Sequence, residues 1–304
     1  MLANNQSVHG RFLIITADDF GMSSSMNKAI INLFQASAIN SAMIMMPCPW
    51  AKHAANYAKL HPEANVGIHL TLTSGSPSHR WGPVTKNPSI KSLTTTDGYL
   101  LESASDVEEQ ATEEAVKTEI RNQIEMAIQL EINPTHLDSH DGSLLGLARG
   151  RDFLEVAFDL CEEFQLPFKL PKNIVNQPFI HSDMKKLFQN RIESAHKRGI
   201  SLIDDLICLP YQMENGENYR VIQDKMFKAI RSVHEGITEV VIHPSENTPE
   251  LRAMTPHWEK REIEYQIFRD GEIKKLLNEE NIQLISWKDL RDSQRCANGK
   301  NTLM

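Results

Sequence analysis

An α/β fold, read as a complete or distorted (β/α) barrel forming a single domain, is predicted by two features of the sequence. Short β-prone apolar runs alternate with amphipathic helical segments along the 304 residues, and such alternation builds a parallel sheet with helical crossovers. No internal repeat, linker or composition shift divides the chain, whose length suits one large barrel or two ordinary domains. A doubly wound open sheet is the competing arrangement.

The first run, 12–17 (Phe-Leu-Ile-Ile-Thr-Ala), is continuously apolar or β-branched, as in a strand buried on both faces. Segment 23–38 follows with Met26, Ile30, Leu33 and Phe34 at helical spacing. A second strand is expected over 40–46, ended by Pro47 and Pro49, then a short helix over 50–60 and a third strand over 64–70. Regular patterning lapses over 73–105, where Ser, Thr, Gly and Pro are frequent around Trp81 and Tyr99. A loop of this length in a compact protein is usually functional, and its aromatics predict a lid over a substrate cleft.

Segment 106–130 reads as one long helix, its first turn acidic (Asp106, Glu108, Glu109) to suit the helix dipole. Asn133-Pro134 breaks it before a strand at 135–139. Helices follow over 152–164, 182–197 (with Gly199 as C-cap), 219–234 and 258–278, the last bent near Gly271. Strands alternate with them at 167–170, 200–206, 238–243 and 282–286, and a short helix over 287–291 ends the pattern. The domain is therefore expected over 11–292, with 73–105 as an insertion, a flexible N-terminus (1–10) and a polar tail (293–304).

Composition narrows the function. A formal net charge of −8 and a pI of about 5.9 oppose nucleic-acid binding, which usually needs a basic face. The four cysteines form no C-x-x-C pair and read as free thiols of a reducing compartment. Neither a secretory signal nor an apolar run long enough to span a membrane is apparent. These features predict a cytoplasmic protein, with a homodimer as the default assembly.

Its chemistry-bearing residues fall at strand ends. Asp18 and Asp19 follow the first strand, His69 closes the third, His140 lies just past the fourth, and His243 ends the strand at 238–243. Ligands of parallel α/β folds bind at those carboxyl ends, which in a barrel open onto one rim. One aspartate with two histidines leaves a metal ion open positions for water and substrate. The competing reading makes the acids helix caps, but Ser23 can fill that role. His136, inside a strand, is expected simply to pack.

Four motifs, Thr16-Ala17-Asp18-Asp19-Phe20-Gly21-Met22-Ser23 with Asn27, Gly67-Ile68-His69-Leu70-Thr71, Thr135-His136-Leu137-Asp138-Ser139-His140 and Ile242-His243-Pro244, resemble the YdjC-like carbohydrate deacetylases. The resemblance runs from about 11 to 290. It implies a distorted (β/α) barrel, TIM-barrel-like and similar to polysaccharide deacetylases. It also implies Asp19, His69 and His140 as metal ligands, Asp18 as catalytic base and His243 as general acid. Many members read D-S-H-x-H at the fourth strand, whereas Gly142 stands here at the second histidine, so their sugar specificity does not transfer.

The expected activity is metal-dependent removal of the N-acetyl group from a small sugar, a mono- or disaccharide, with release of acetate. Two imidazoles and a carboxylate suit Zn²⁺, whereas the resemblance points to Mg²⁺ in some members, so one divalent ion of either kind is expected. Lys169 and Lys172, flanking Pro171, are candidate substrate ligands, with solvated surface lysines as the plainer reading. A barrel phosphoesterase and a non-catalytic sugar-binding protein are the alternatives. Retention of both Asp18 and His243 argues against the latter.

Overall fold

A computed structural model describes residues 10–75 and 79–299. The expected flexible segment up to residue 9 and the last five residues of the tail lie outside the described residues.

Strand β1 (Arg11–Phe20) is the axis of the sheet. Leu13, Ile14, Ile15, Ala17 and Phe20 are all buried, as a central parallel strand requires. One edge pairs with β6 (Gly236–Ile242), from Arg11↔Gly236 to Ala17↔Ile242. The other is shared by β7 (Gln283–Leu284) at Phe12 and Leu13 and by β2 (Ser41–Ile44) from Thr16 onward. Asn40 fills the gap between those two partners: its side chain accepts the Ile15 N–H (2.8 Å) and donates to the Ile285 carbonyl (2.6 Å).

Beyond β2 come β3 (Val66–Leu70) and β4 (Leu137–Ser139), and β5 (Asp205–Cys208) pairs with β6, giving the order β4-β3-β2-β1-β6-β5. All named pairings are parallel. Hydrogen bonding continues past both outer strands: Leu137 bridges Phe168, and Pro171 bridges Ile203. The sheet therefore curls into a distorted barrel rather than lying open, as expected. The strand expected over 167–170 shrinks to that single bridge, because Pro167 and Pro171 lack the N–H groups a ladder needs. The strand expected over 200–206 forms later, as β5, since the Phe168 and Lys172 N–H groups take the Ser201 and Ile203 carbonyls.

Helices α1 (Ser24–Gln35) and α2 (Ala51–Leu60) stand where periodicity placed them, α1 capped by the Ser23 hydroxyl. The expected helix over 106–130 is two: α3 (Ala104–Gln110) and α4 (Glu113–Gln129). Ala111 is extended, and the Thr112 side chain caps α4 by accepting the Ala115 N–H. Then follow α5 (Leu154–Phe164), α6 (Ser182–Lys197), α7 (Tyr219–Arg231) and an unforeseen α8 (Pro249–Met254). The bend expected at Gly271 separates α9 (Trp258–Arg269) from α10 (Glu272–Glu279). The final α11 (Trp287–Ala297) outruns its expected end at 291, its start fixed by a Ser286–Asp289 capping box.

The insertion over 73–105 packs against the barrel in its described part. Trp81, Leu93 and Leu100 are buried, Thr73 bridges Leu101, and the Glu119 carboxylate on α4 accepts the Val84 and Thr85 N–H groups. Among the described residues no helix is long and apolar enough to cross a membrane.

Candidate active site

Adjacent residues on a strand normally point to opposite faces, yet Asp18 and Asp19 both face His69. The β1–β2 register shifts between Ala17 and Phe20, and Asp19 has φ +67. Aspartate tolerates this left-handed conformation better than most residues, and the irregularity breaks the alternation. One oxygen of each carboxylate thereby lies 3.8 Å from the same His69 Nε2.

The Asp19 Oδ1 is also 3.8 Å from His140 Nδ1, and the two imidazole nitrogens are 3.2 Å apart. Asp19, His69 and His140 thus aim three buried donor atoms at one point. Their separations are those of donors sharing one ion through bonds of about 2.1 Å. Each imidazole has a carboxylate at its far nitrogen: Asp138 Oδ1 2.5 Å from His69 Nδ1, and Asp141 Oδ2 3.3 Å from His140 Nε2. Such partners orient metal-binding histidines and fix their tautomers. The donor set fits a divalent ion.

Electrostatics follow from burial. Burial works to raise the Asp19 carboxyl, but the Arg261 guanidinium (2.7 Å), His243, His140 and His69 hold it well below the usual carboxylate range. Burial opposes charge on His69, yet Asp138 and Asp18 hold its pKa up to about 9. His140 is pushed down, by burial first.

Lys169 is brought into the cluster; Lys172 is not. The Lys169 ammonium lies 3.2 Å from both Asp18 oxygens and contacts Asp138 Oδ2, with its side chain only 9% exposed. Lys172 is half-exposed and pairs with Asp204 at 2.5 Å. His243 follows β6 beside Asp19, whose charge it helps to stabilise. The Glu264 carboxylate accepts the His243 N–H (2.7 Å), and the Tyr211 ring stands edge-on to its imidazole at 5.4 Å. His136 packs as expected, stacked on Trp287 at 4.2 Å with an interplanar angle of 7°.

Arg261 and Glu264 on α9, Tyr211 on a loop, and Asp141 were not anticipated. The α9 pair is hidden in a charged amphipathic helix that reads as solvated surface. Asp141 adjoins His140, and that adjacency was the one available signal. It and Gly142 have φ of +52 and +63, so Gly142 completes a left-handed turn that favours glycine.

Beside the cluster opens a cavity of about 540 Å³, lined by Met22, Trp50, Arg80, Trp81, Tyr99 and Glu250 among others. Trp81 connects the two, its ring 6.5 Å from that of His140 and its indole N–H donating to the Thr73 carbonyl.

The chain is 25% identical to a carbohydrate deacetylase of Thermoanaerobacter pseudethanolicus over 92% of its length and 100% of the relative's. It is 28% identical to a carbohydrate deacetylase of Clostridium beijerinckii over 91% and 99%. A crystal structure of an Enterococcus faecalis V583 protein, 23% identical, superposes with a TM-score of 0.74 over 92% of this chain and 99% of that one, showing the same fold. The family model described as YdjC-like protein matches residues 12–279, and the chain belongs to that family.

Proposed function

We propose that this protein is a metal-dependent hydrolase that removes the N-acetyl group from a small N-acetylated sugar, a mono- or disaccharide, and releases acetate. The observation that carries this reading is the buried Asp19–His69–His140 donor triangle with a second carboxylate, Asp18, at its edge. The relatives' description as carbohydrate deacetylases supports the choice of substrate.

Asp19, His69 and His140 would hold one divalent ion, and their mixed nitrogen and oxygen donors suit Zn²⁺ better than Mg²⁺. Bound there, it supplies Lewis acidity that polarises the amide carbonyl and acidifies water.

The chain's own groups do the rest. Asp18, outside the triangle, takes the proton from the attacking water. Lys169 holds Asp18 in place through an ion pair to both of its oxygens. His243, as imidazolium, gives a proton to the departing amine, which cannot leave as an amide anion. Arg261 balances the Asp19 charge, and the Trp81-lined cavity offers the sugar an apolar face to stack on. Lys169 is a structural cation in this scheme, while Lys172 stays outside it.

Acetate release from a panel of N-acetylated mono- and disaccharides, with Zn²⁺, Mg²⁺, Mn²⁺ or Co²⁺ added, tests the proposal, with phosphate release from sugar phosphates run in parallel. Acetate with at least one metal is expected. Its absence with every substrate and metal, or phosphate release in its place, would refute the reading. Asp19→Ala should lose metal binding. Asp18→Asn should keep the metal and lose turnover by about 10²–10⁴-fold.

A further inference from the structure

A second group of potential ligands, Asp18, His69 and Asp138, overlaps the first, its donor atoms again within 4.8 Å of one another. By composition it resembles half of a dinuclear centre: two carboxylates and a shared histidine beside an existing site. A cation already stands there. The Lys169 ammonium contacts Asp138 Oδ2 and both Asp18 oxygens, two of the three members.

The Lys169 side chain is only 9% exposed, and its ammonium is turned onto these carboxylates. A third carboxylate, Glu239, faces it from β6, held by the Thr16 hydroxyl and the Trp287 indole N–H (3.0 Å). Burial alone would drive a lysine to give up its proton. Here Asp138 and Asp18 outweigh burial and keep the ammonium charged.

We infer that Lys169 acts as a built-in replacement for a second metal ion, limiting the centre to one ion and keeping Asp18 out of any coordination sphere. This rests on the metal-centred reading proposed above, and deepens it. A second divalent ion would have to displace this ammonium from the two carboxylates it already contacts. With that ammonium in place, Asp18 makes only an ion pair and its oxygens remain able to accept a proton. Without it, Asp18 and Asp138 become ligands, and the base is consumed.

Metal stoichiometry tests the inference independently of activity. The full-length apo protein is titrated with Zn²⁺, and with Co²⁺ followed by its visible absorption. Bound ion per folded chain is measured for the wild type and for K169A, K169M and K169R. One ion is expected for the wild type and K169R, and two for K169A, the second equivalent disappearing in K169A/D138N. K169M, which keeps the bulk without the charge, covers the case that K169A does not fold, and should also take a second, weaker equivalent. Two ions in the wild type, one in both K169A and K169M, or a second equivalent that survives D138N would each overturn the inference while leaving the single-ion site standing. No ion in the wild type would remove the metal-centred reading, and this one with it.

Discussion

Asp138 shows how much a site owes to residues that position its other members. Its Oδ1 holds His69 Nδ1 at 2.5 Å, which aims Nε2 at the donor triangle. Asp138→Asn should weaken Zn²⁺ binding by about 10–100-fold, the usual cost of losing such a partner, measurable by competition with a chromogenic chelator. Glu239 gives a second prediction. Burial first of all pushes its carboxyl up to about 7, against the pull of Lys169, Thr16 and Trp287. The folded protein then holds a proton that the unfolded chain releases near 4.5, so stability falls as pH rises from about 4.5 to 7. The loss is of order 3 kcal/mol if no other group compensates. Chemical denaturation across that window should show the slope in the wild type and a flatter profile in Glu239→Gln. An unchanged slope would assign the pH dependence to other groups. At this scale Asp18, Asp19, His69, His140 and His243 were legible because each ends or follows a strand. Arg261, Glu264 and Tyr211 were not, since nothing in a charged helix or a polar loop marks the residue that will turn inward.

Strand β3 works as an element because it brings His69 to the rim while its neighbours lock the backbone. A β-carbon on Gly67 would meet the His136 imidazole at 2.5 Å and Met43 Sδ at 2.7 Å. His136 cannot yield, being buried and stacked on Trp287. Gly67→Ala should therefore cost about 1–3 kcal/mol, the range for overpacking a filled core, seen as a lower Tm. It should also weaken metal binding, because relief of the clash displaces β3. A variant as stable as the wild type would mean that this packing is looser than the contacts imply. Element boundaries failed where local signals were weak. The break at Ala111–Thr112 depends on Thr112 N–H donating to Ser92 Oγ, a contact from the insertion. The strand expected over 167–170 was undone by its own flanking prolines, a signal that was present but outweighed by the β-prone run between them.

On the scale of the whole molecule, the carboxylates of Asp18, Asp19 and Asp138 gather at the carboxyl ends of β1 and β4, with Lys169 and Arg261 as their cationic partners. Bringing Asp18, Asp19 and Asp138 together costs electrostatic energy that a bound cation would relieve, so the ion and the fold should stabilise each other. Zn²⁺ at about 100 times its Kd should add about 2.7 kcal/mol to unfolding, read as a higher Tm by calorimetry. Asp19→Ala should show no such gain, and an equal gain in that variant would place the ion elsewhere.

Alternating periodicity along one chain was enough to determine a parallel α/β sheet, though not whether it closes or lies open, and the strand ends were enough to nominate the acids and histidines, because local hydrophobic pattern and chain direction are written in consecutive residues. Tertiary structure alone decided how those groups are used. The register shift at Asp19 turns two neighbouring carboxylates toward one imidazole, and the long connections bring Lys169 and Arg261 to them from distant segments. Both depend on which strands become neighbours, a non-local property that no window of sequence contains. The acid pair is visible in the chain; the separate cations that meet its two members, Lys169 at Asp18 and Arg261 at Asp19, reach it only through the fold.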